Sequence, residues 1–433
     1  MSKQNPELFG ALFFFAIFEC SFPSAVAATT PFFMSIGSLS TSDPASTARA
    51  ISADGRVVVG TSRNSLGVFE AFRWSAEDGM IGLGTASQSV PRGVASAVSA
   101  DGSVVTGYFQ PGVNGANAEA FRWSSESGMT ALGFIPPRTY ASAGLGISAD
   151  GSAIVGYSDA NDGTGPKCFR WTESSGMDDL GFEPSNPLGC VAAGISASGT
   201  AIAGGRGTAL GFEAFMWTEG GGMTGLGDLP GGSFESFASG VSSDGQVAFG
   251  SGSSTFGIEA MRWSASQGMI GLGDLPGGQF DSSALAASAN GSTLVGYGST
   301  SLGLEAFIWD EQNGMRRLRD VLETQLGFDL SGWFLGPAFG ISADGLTIVG
   351  SGSDDAGSGG AWIAHIPEPA ALSFLMLGGL VGVRRRGRRL GVSRASELDG
   401  SAGGASAATQ RRAEESGAWR EIDPEAIRER SRV

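Results

Sequence analysis

The sequence predicts an all-β chain: a seven-bladed β-propeller of four-stranded blades whose last blade is closed by an N-terminal strand. Three observations carry this. A hairpin motif recurs seven times, two further motifs recur in register with it, and the N-terminal region holds one spare copy of a strand that the seventh unit lacks. Glycine fits the same picture. It makes up 71 of 433 residues, against a usual ~7%, as expected where many short strands meet at tight turns.

The hairpin motif is Ile51-Ser52-Ala53-Asp54-Gly55. Its counterparts end in Asp101-Gly102, Asp150-Gly151, Ser198-Gly199, Asp244-Gly245, Asn290-Gly291 and Asp344-Gly345, at spacings of 47, 49, 48, 46, 46 and 54. Self-similarity at a period of about 40–50 residues marks four-stranded propeller units. The first strand of each unit is small and apolar, which suits the crowded centre around a channel. Asp-Gly then reads as a two-residue turn with both residues at positive φ. The second strand is Val57-Val58-Val59-Gly60 and its counterparts. The third is Glu70-Ala71-Phe72-Arg73-Trp74, repeated at Glu119, Lys167, Glu213, Glu259 and Glu305. By the period of two, Phe72 and Trp74 share a face and pack between blades. Arg73, Arg122, Arg170 and Arg262, with Met216 and Ile308 at the same position, occupy a half-buried opposite face. Five residues ending in Gly lead into the fourth strand, Gly-Met-x-x-Leu, at Met80, Met129, Met177, Met223, Met269 and Met315.

The seventh unit ends at Gly360-Ala361-Trp362-Ile363 with no such fourth strand after it. Phe33-Met34-Ser35-Ile36-Gly37-Ser38-Leu39 matches residues 223–229 and supplies it, closing the ring and leaving few exposed edges. The longer last interval accommodates a short helix, because Leu318, Val321, Leu322 and Leu326 fall at helical spacing. Trp333 then leads the seventh blade.

Both ends read as targeting segments. Residues 1–27 have an apolar run, Leu8 to Phe18, followed by Ser24-Ala25-Val26-Ala27-Ala28, the layout of a signal peptide cleaved after Ala27 with Ala25 at the other small position. Residues 365–389 carry Pro367-Glu368-Pro369, an apolar segment over 370–383, and the cluster Arg384, Arg385, Arg386, Arg388 and Arg389. Fourteen helical residues span about 21 Å, short of a ~30 Å hydrocarbon core but within reach of local thinning. The arginines place the tail in the cytoplasm and the body outside. Residues 390–433 read as a disordered basic tail. The charge divides accordingly. From Arg384 onward twelve arginines face eight carboxylates, whereas the whole chain carries −16.

The terminal motif, Pro-Glu-Pro then an apolar segment then arginines, resembles the PEP-CTERM sorting signal of exported bacterial proteins. The resemblance implies export machinery and an exosortase-type peptidase as partners, an inner-membrane intermediate, and delivery to the cell surface or extracellular matrix. The family's arginine cluster ends the chain or nearly so; here Leu390 to Val433 follow. The repeats, over roughly residues 33–364, resemble the HAF-type bacterial extracellular repeat family. The likeness rests on Gly227-Asp228-Leu229-Pro230-Gly231-Gly232 and its copy at Gly273–Gly278, with Ile-Ser-x-Asp-Gly and Ala-Phe-x-Trp. It implies an exported propeller and carries over no catalytic residue.

Composition narrows the chemistry. Lysine is present only at positions 3 and 167, and the single histidine is His365. One histidine supplies no multi-histidine metal site, and an acidic chain suits no nucleic acid. His365, just before Pro-Glu-Pro, reads as a linker residue. The repeated Glu reads as a solvated strand end or, alternatively, as an acidic rim that attracts cations or sugar hydroxyls. Asp159 to Gly163 misses the calcium-loop alternation by one place. Tyr108, Phe109, Tyr140 and Trp333 read as non-repeated loop residues and are the candidates for ligand contact. Cys168 and Cys190 either bridge neighbouring blades or remain two buried thiols.

No catalytic residue, metal site or cofactor is expected. The leading expectation is a non-enzymatic surface or matrix propeller contacting protein or polysaccharide. Two others stand beside it: a polysaccharide lyase or hydrolase with two carboxylates about 5–10 Å apart at the channel mouth, and a ligand-free structural protein.

Overall fold

The repeating unit is an antiparallel sheet of four strands laid side by side in chain order. A computed structural model describes residues 30–86, 92–111, 117–159, 165–181, 188–355, 357 and 359–367. The candidate signal peptide with Ala25 and Ala27, then Glu368, Pro369, the apolar segment, the arginine cluster and the tail all lie outside the described residues. Among the described residues, no helix is long and apolar enough to cross a membrane.

The first unit runs Ser46–Ile51, Val57–Arg63, Phe69–Ser75, Gly79–Gly82. The second, third and sixth units repeat it. The fourth and fifth form one eight-stranded sheet through a single parallel pairing of Phe212 with Glu235. The last sheet orders Phe32–Gly37 beside Gly359–His365, Thr347–Asp354 and Trp333–Ile341. The chain is therefore an all-β protein of β-propeller type. Its one described α-helix, Leu318–Leu326, buries Leu318, Val321 and Leu322.

Two local devices shape every unit. The inner strand bulges at the position of Arg49, between Ala48 and Ala50. The second strand answers with Gly60: a Cβ there would lie 2.0 Å from the Thr47 carbonyl oxygen, so only glycine lets the bulged strand approach. The same Gly60 pairs with Phe72. Phe72 and its counterparts Phe121, Phe169, Phe215, Met261, Phe307 and Trp362 are fully buried. Each wedges between two sheets. Phe72, for example, packs with Val58 of its own sheet and with Val349, Ala361 and Ile363 of the last. Burying such a side chain is worth about 1.5–3 kcal/mol, so the six rings and Met261 form the backbone of the core.

The turn between the first two strands differs from the two-residue form expected. Gly55 N–H bonds Ser52 O at 3.0 Å and Ser52 N–H bonds Val57 O at 2.8 Å, giving a four-residue turn. Only Gly55 is left-handed, with φ 75°; Asp54 is not. The aspartate is there for its carboxylate. It accepts Ser52 Oγ at 2.6 Å and Arg56 N–H at 3.1 Å, while Ser52 Oγ accepts Val57 N–H at 2.9 Å. These hydroxyl and backbone donors hold the Asp101 carboxyl below its ordinary range and bring Asp150 down to about 2.

The turns also join neighbouring units. Ala53 N–H bonds Ala100 O, Ala100 bonds Ala149, Ala149 bonds Ala197 and Ala197 bonds Ser243, all at 2.9–3.0 Å. Ala289 N–H bonds Ala343 O, and Ala343 N–H returns to Ala53 O at 3.0 Å. The inner strands crowd together: a Cβ on Gly194 would lie 2.7 Å from the Gly240 Cα.

Candidate functional site

The repeated polar residues are the natural place to look for a site, and the structure engages them with the protein itself. Glu70 Oε1 accepts the N–H of Gly84 at 3.1 Å, just beyond its own outer strand. Glu213 does the same for Gly227 at 3.3 Å and Glu259 for Gly273 at 2.9 Å. Glu119 accepts from Gly133, and burial raises its carboxyl above the usual range. Glu305 is almost wholly buried, accepting Thr300 Oγ1 at 2.7 Å with Arg317 Nε at 3.5 Å. These glutamates are latches on the outer strand, neither solvated strand ends nor an open acidic ring.

The third unit tests the latch by exception. Lys167 stands where five other units have Glu, and Asp179 stands where Gly82 does. The two form an ion pair. Asp179 Oδ1 then accepts the Gly181 N–H at 3.0 Å, so the carboxylate has moved to the other strand and the same glycine N–H remains satisfied. The swap is coherent because a Cβ at Gly82 would lie 2.3 Å from Glu70 Oε1. In the first, fourth and fifth units the glycine facing Phe72, Phe215 or Met261 is what leaves room for the glutamate's carboxylate.

A second repeated device binds sheet to sheet. Ser142 Oγ donates to Gly133 O at 2.7 Å and accepts the Ala120 N–H at 2.9 Å. Ser236 bridges Gly227 and Ala214 likewise, and Ser282 bridges Gly273 and Ala260. Ser46 bridges Gly37 and Ala361, tying the N-terminal strand to the last one. Cys190 occupies this serine position in the fourth unit, and Cys168 occupies the alanine position in the third. They are disulfide-bonded, with Cα atoms 5.1 Å apart. The covalent bond stands where four other junctions use a hydroxyl.

The remaining candidates sort by burial. Tyr108 and Phe109 are not loop residues: both are buried in the second unit's second strand, Tyr108 among Tyr157, Phe212 and Phe237 and Phe109 beside Val105 and Phe121. Tyr140 is exposed. Trp333 stands edge-on to Phe33 at 5.6 Å. His365 is no linker residue. It ends the last strand, pairs with Phe32 and Thr347, stacks on the Phe32 ring at 5.6 Å, and shares a hydrogen bond with Thr347 Oγ1 at 3.0 Å. Burial pushes its imidazole below the ordinary pKa. The strand continues to His365 because Thr347 gives the polar ring a partner. Pro367 is the last described residue.

Half-buried Arg73 and Arg262 also bind across sheets, their Nε donating to Gly102 O at 3.3 Å and Gly291 O at 3.4 Å. Among the described residues, no group of three or more His, Cys, Asp or Glu is placed to hold a metal ion.

No family model matches the chain. No curated protein matches it. Solved structures similar to it include TolB from Acinetobacter baumannii, with 13% identity, TM-score 0.43, and coverage of 61% of this chain and 63% of that one. The chain thus spans less than two thirds of the Acinetobacter protein. A putative TolB from Agrobacterium tumefaciens is similar at 15% identity and TM-score 0.36, over 78% of this chain and 92% of that one. The β-propeller domain of the Trilobed protease from Pyrococcus furiosus is similar at 11% identity and TM-score 0.45, over 78% and 94%.

Proposed function

We propose that the chain is an exported propeller of seven blades, closed on its own N-terminal strand, that acts without catalysis as a cell-surface or matrix protein contacting protein or polysaccharide. The closed ring is supported by the pairing of Phe32–Gly37 with Gly359–His365 and by the Ala343 to Ala53 hydrogen bond. The eight-stranded sheet then counts as two blades joined at Phe212 and Glu235.

The single observation behind the functional reading is how the repeated polar side chains are used. Glutamates, serines and turn aspartates alike are engaged in holding strands and sheets, which leaves the exposed hairpin tips as a surface available for contacts. Export and sorting rest on the sequence: the signal layout ending at Ala27, the PEP-CTERM-like segment from Pro367, and the HAF-type repeats. Fractionation of cells carrying one tag in the body and one at the C-terminus tests the reading. It expects the body tag at the surface or in the matrix, separated from the C-terminal tag. Retention of both tags together in the inner membrane overturns it.

A further inference from the structure

We propose that the hairpin tips of units four to six form a docking ledge for a polypeptide segment in which apolar side chains alternate with lysine or arginine. The proposal deepens the reading of the chain as a contact protein and rests on it. It begins with three apolar residues that lie largely outside the core. Leu210, Phe256 and Leu302 are 75%, 75% and 67% exposed, and each sits at the same place in its unit, immediately before the glycine that turns the second strand into the third. Isolated exposed apolar residues need no explanation, but the same exposure in three consecutive blades makes a row.

The tips are held, not loose. Thr208 Oγ1 accepts the Leu210 N–H at 3.2 Å and donates to Gly211 O at 2.9 Å. Ser254 Oγ accepts the Phe256 N–H at 3.2 Å and donates to Gly257 O at 3.3 Å. Thr300 Oγ1 closes the third tip by accepting the Leu302 N–H at 3.1 Å, its own proton shared between Gly303 O at 3.1 Å and Glu305 Oε2 at 2.7 Å. Each clamp fixes the backbone so that the apolar side chain faces outward. Each tip also leans on the following unit. A Cβ on Gly211 would meet Phe234 O at 2.1 Å, one on Gly257 would meet Phe280 O at 2.3 Å, and the Phe256 and Phe280 rings lie 5.4 Å apart. Pre-ordered apolar contacts of this kind cost little further entropy on binding.

Charge identifies the occupant. Residues 204–304 contain two arginines and eight carboxylates, of which Glu219 and Asp244 sit in the turns of the opposite rim. Arg206 is paired with Glu213 at 3.0 Å, and Arg262 reaches the opposite rim, where it donates to Gly291 O. The segments beside the tips carry Asp228, Glu235, Asp274 and Asp281, with Asp228 and Asp274 accepting the backbone N–H groups of Glu235 and Asp281 at 2.9 Å each. An apolar row on an acidic rim complements a cationic, apolar chain. It disfavours an anionic membrane, and it disfavours a second copy, whose same rim would bring like charges together. A sugar would want flat aromatic faces, and the row has one ring among its three tips.

The test uses the full-length chain and two short fluorescent peptides, one alternating Leu and Lys and one alternating Leu and Glu. The Leu–Lys peptide is expected to bind, to weaken with salt as screening sets in, and to bind the L210S/F256S/L302S variant at least about tenfold more weakly. E235Q/D281N should weaken it as well. Because all three tips are exposed, the triple variant should keep the wild-type thermal transition, which is measured alongside. Equal affinity for the triple variant overturns the proposal, as does equal binding of the Leu–Glu peptide. Dimerisation, or binding to phosphatidylcholine vesicles, that the triple variant abolishes assigns the row to another occupant and also overturns it. None of these outcomes touches the fractionation result, so the two readings fail separately.

Discussion

Replacing the disulfide by the serine bridge used at other junctions gives a quantitative expectation. Cys168→Ala with Cys190→Ser restores the residue pair found at Ala120 and Ser142, Ala214 and Ser236, and Ala260 and Ser282. Removing the crosslink frees a loop defined by a sequence separation of 22, and the chain-entropy relation puts that loss at about 3 kcal/mol. The new hydroxyl can accept the residue 168 N–H and donate to Gly181 O, two buried hydrogen bonds worth about 1 kcal/mol each. The serine variant should therefore lose only about 1–2 kcal/mol. Cys168→Ala with Cys190→Ala removes the crosslink and adds no bridge, so it should lose the full ~3 kcal/mol or more. Guanidinium unfolding of the oxidised wild type and both variants measures this. The reasoning fails if the serine variant is no more stable than the alanine variant.

Other expectations follow from the same contacts. Glu259→Ala leaves the Gly273 N–H without its carboxylate and should cost about 1–2 kcal/mol in chemical unfolding. Lys167→Glu should destabilise by setting a carboxylate against Asp179, and adding Asp179→Gly, which recreates the pattern of the first, fourth and fifth units, should recover most of the loss; a double-mutant cycle with no coupling contradicts the latch. The His365 imidazole has a folded pKa lowered from 6.5, so the unfolded chain binds the proton more readily below that value. Stability should rise with pH through that window and be lost as pH falls below about 6.5. His365→Gln should flatten this part of the melting-temperature profile. The lowered carboxyls of Asp101 and Asp150 act in a separate window, their stabilisation disappearing as pH falls below about 3.8.

Much of the fold was legible because it is periodic. The interval between Asp54 and Asp101 and its successors marks the units, alternation marks Phe72 as core, and the spare strand at Phe33–Leu39 points to the pairing with Gly359–His365. The helix at Leu318–Leu326 followed from its leucine spacing. What the pattern withheld was partnership. A repeated Glu announces that something recurs, but its acceptor role depends on where the outer strand brings Gly84. The serine bridge was written in the sequence, since Cys190 aligns with Ser46, Ser142, Ser236 and Ser282, yet its meaning needs the neighbouring sheet. Asp54 suggested a turn through its dihedral tolerance, whereas its carboxylate does the holding. His365 was misread because a polar ring ends an apolar run, and only the facing Thr347 shows that the strand continues. Tyr108 and Phe109 were misread because the second strand runs past its glycine in every unit, to Phe109 here as to Arg63 in the first.

The central claim is that the N-terminal strand closes the ring, and the most direct measurement is a crosslink across that seam. Phe32 and His365 are paired across the two strands with their rings stacked. Phe32→Cys with His365→Cys, oxidised at low protein concentration and digested, should yield a disulfide-linked peptide joining the two ends of one chain, with a raised melting temperature. Free thiols at both positions, or bonds formed only between chains, would contradict a ring closed by its own first strand.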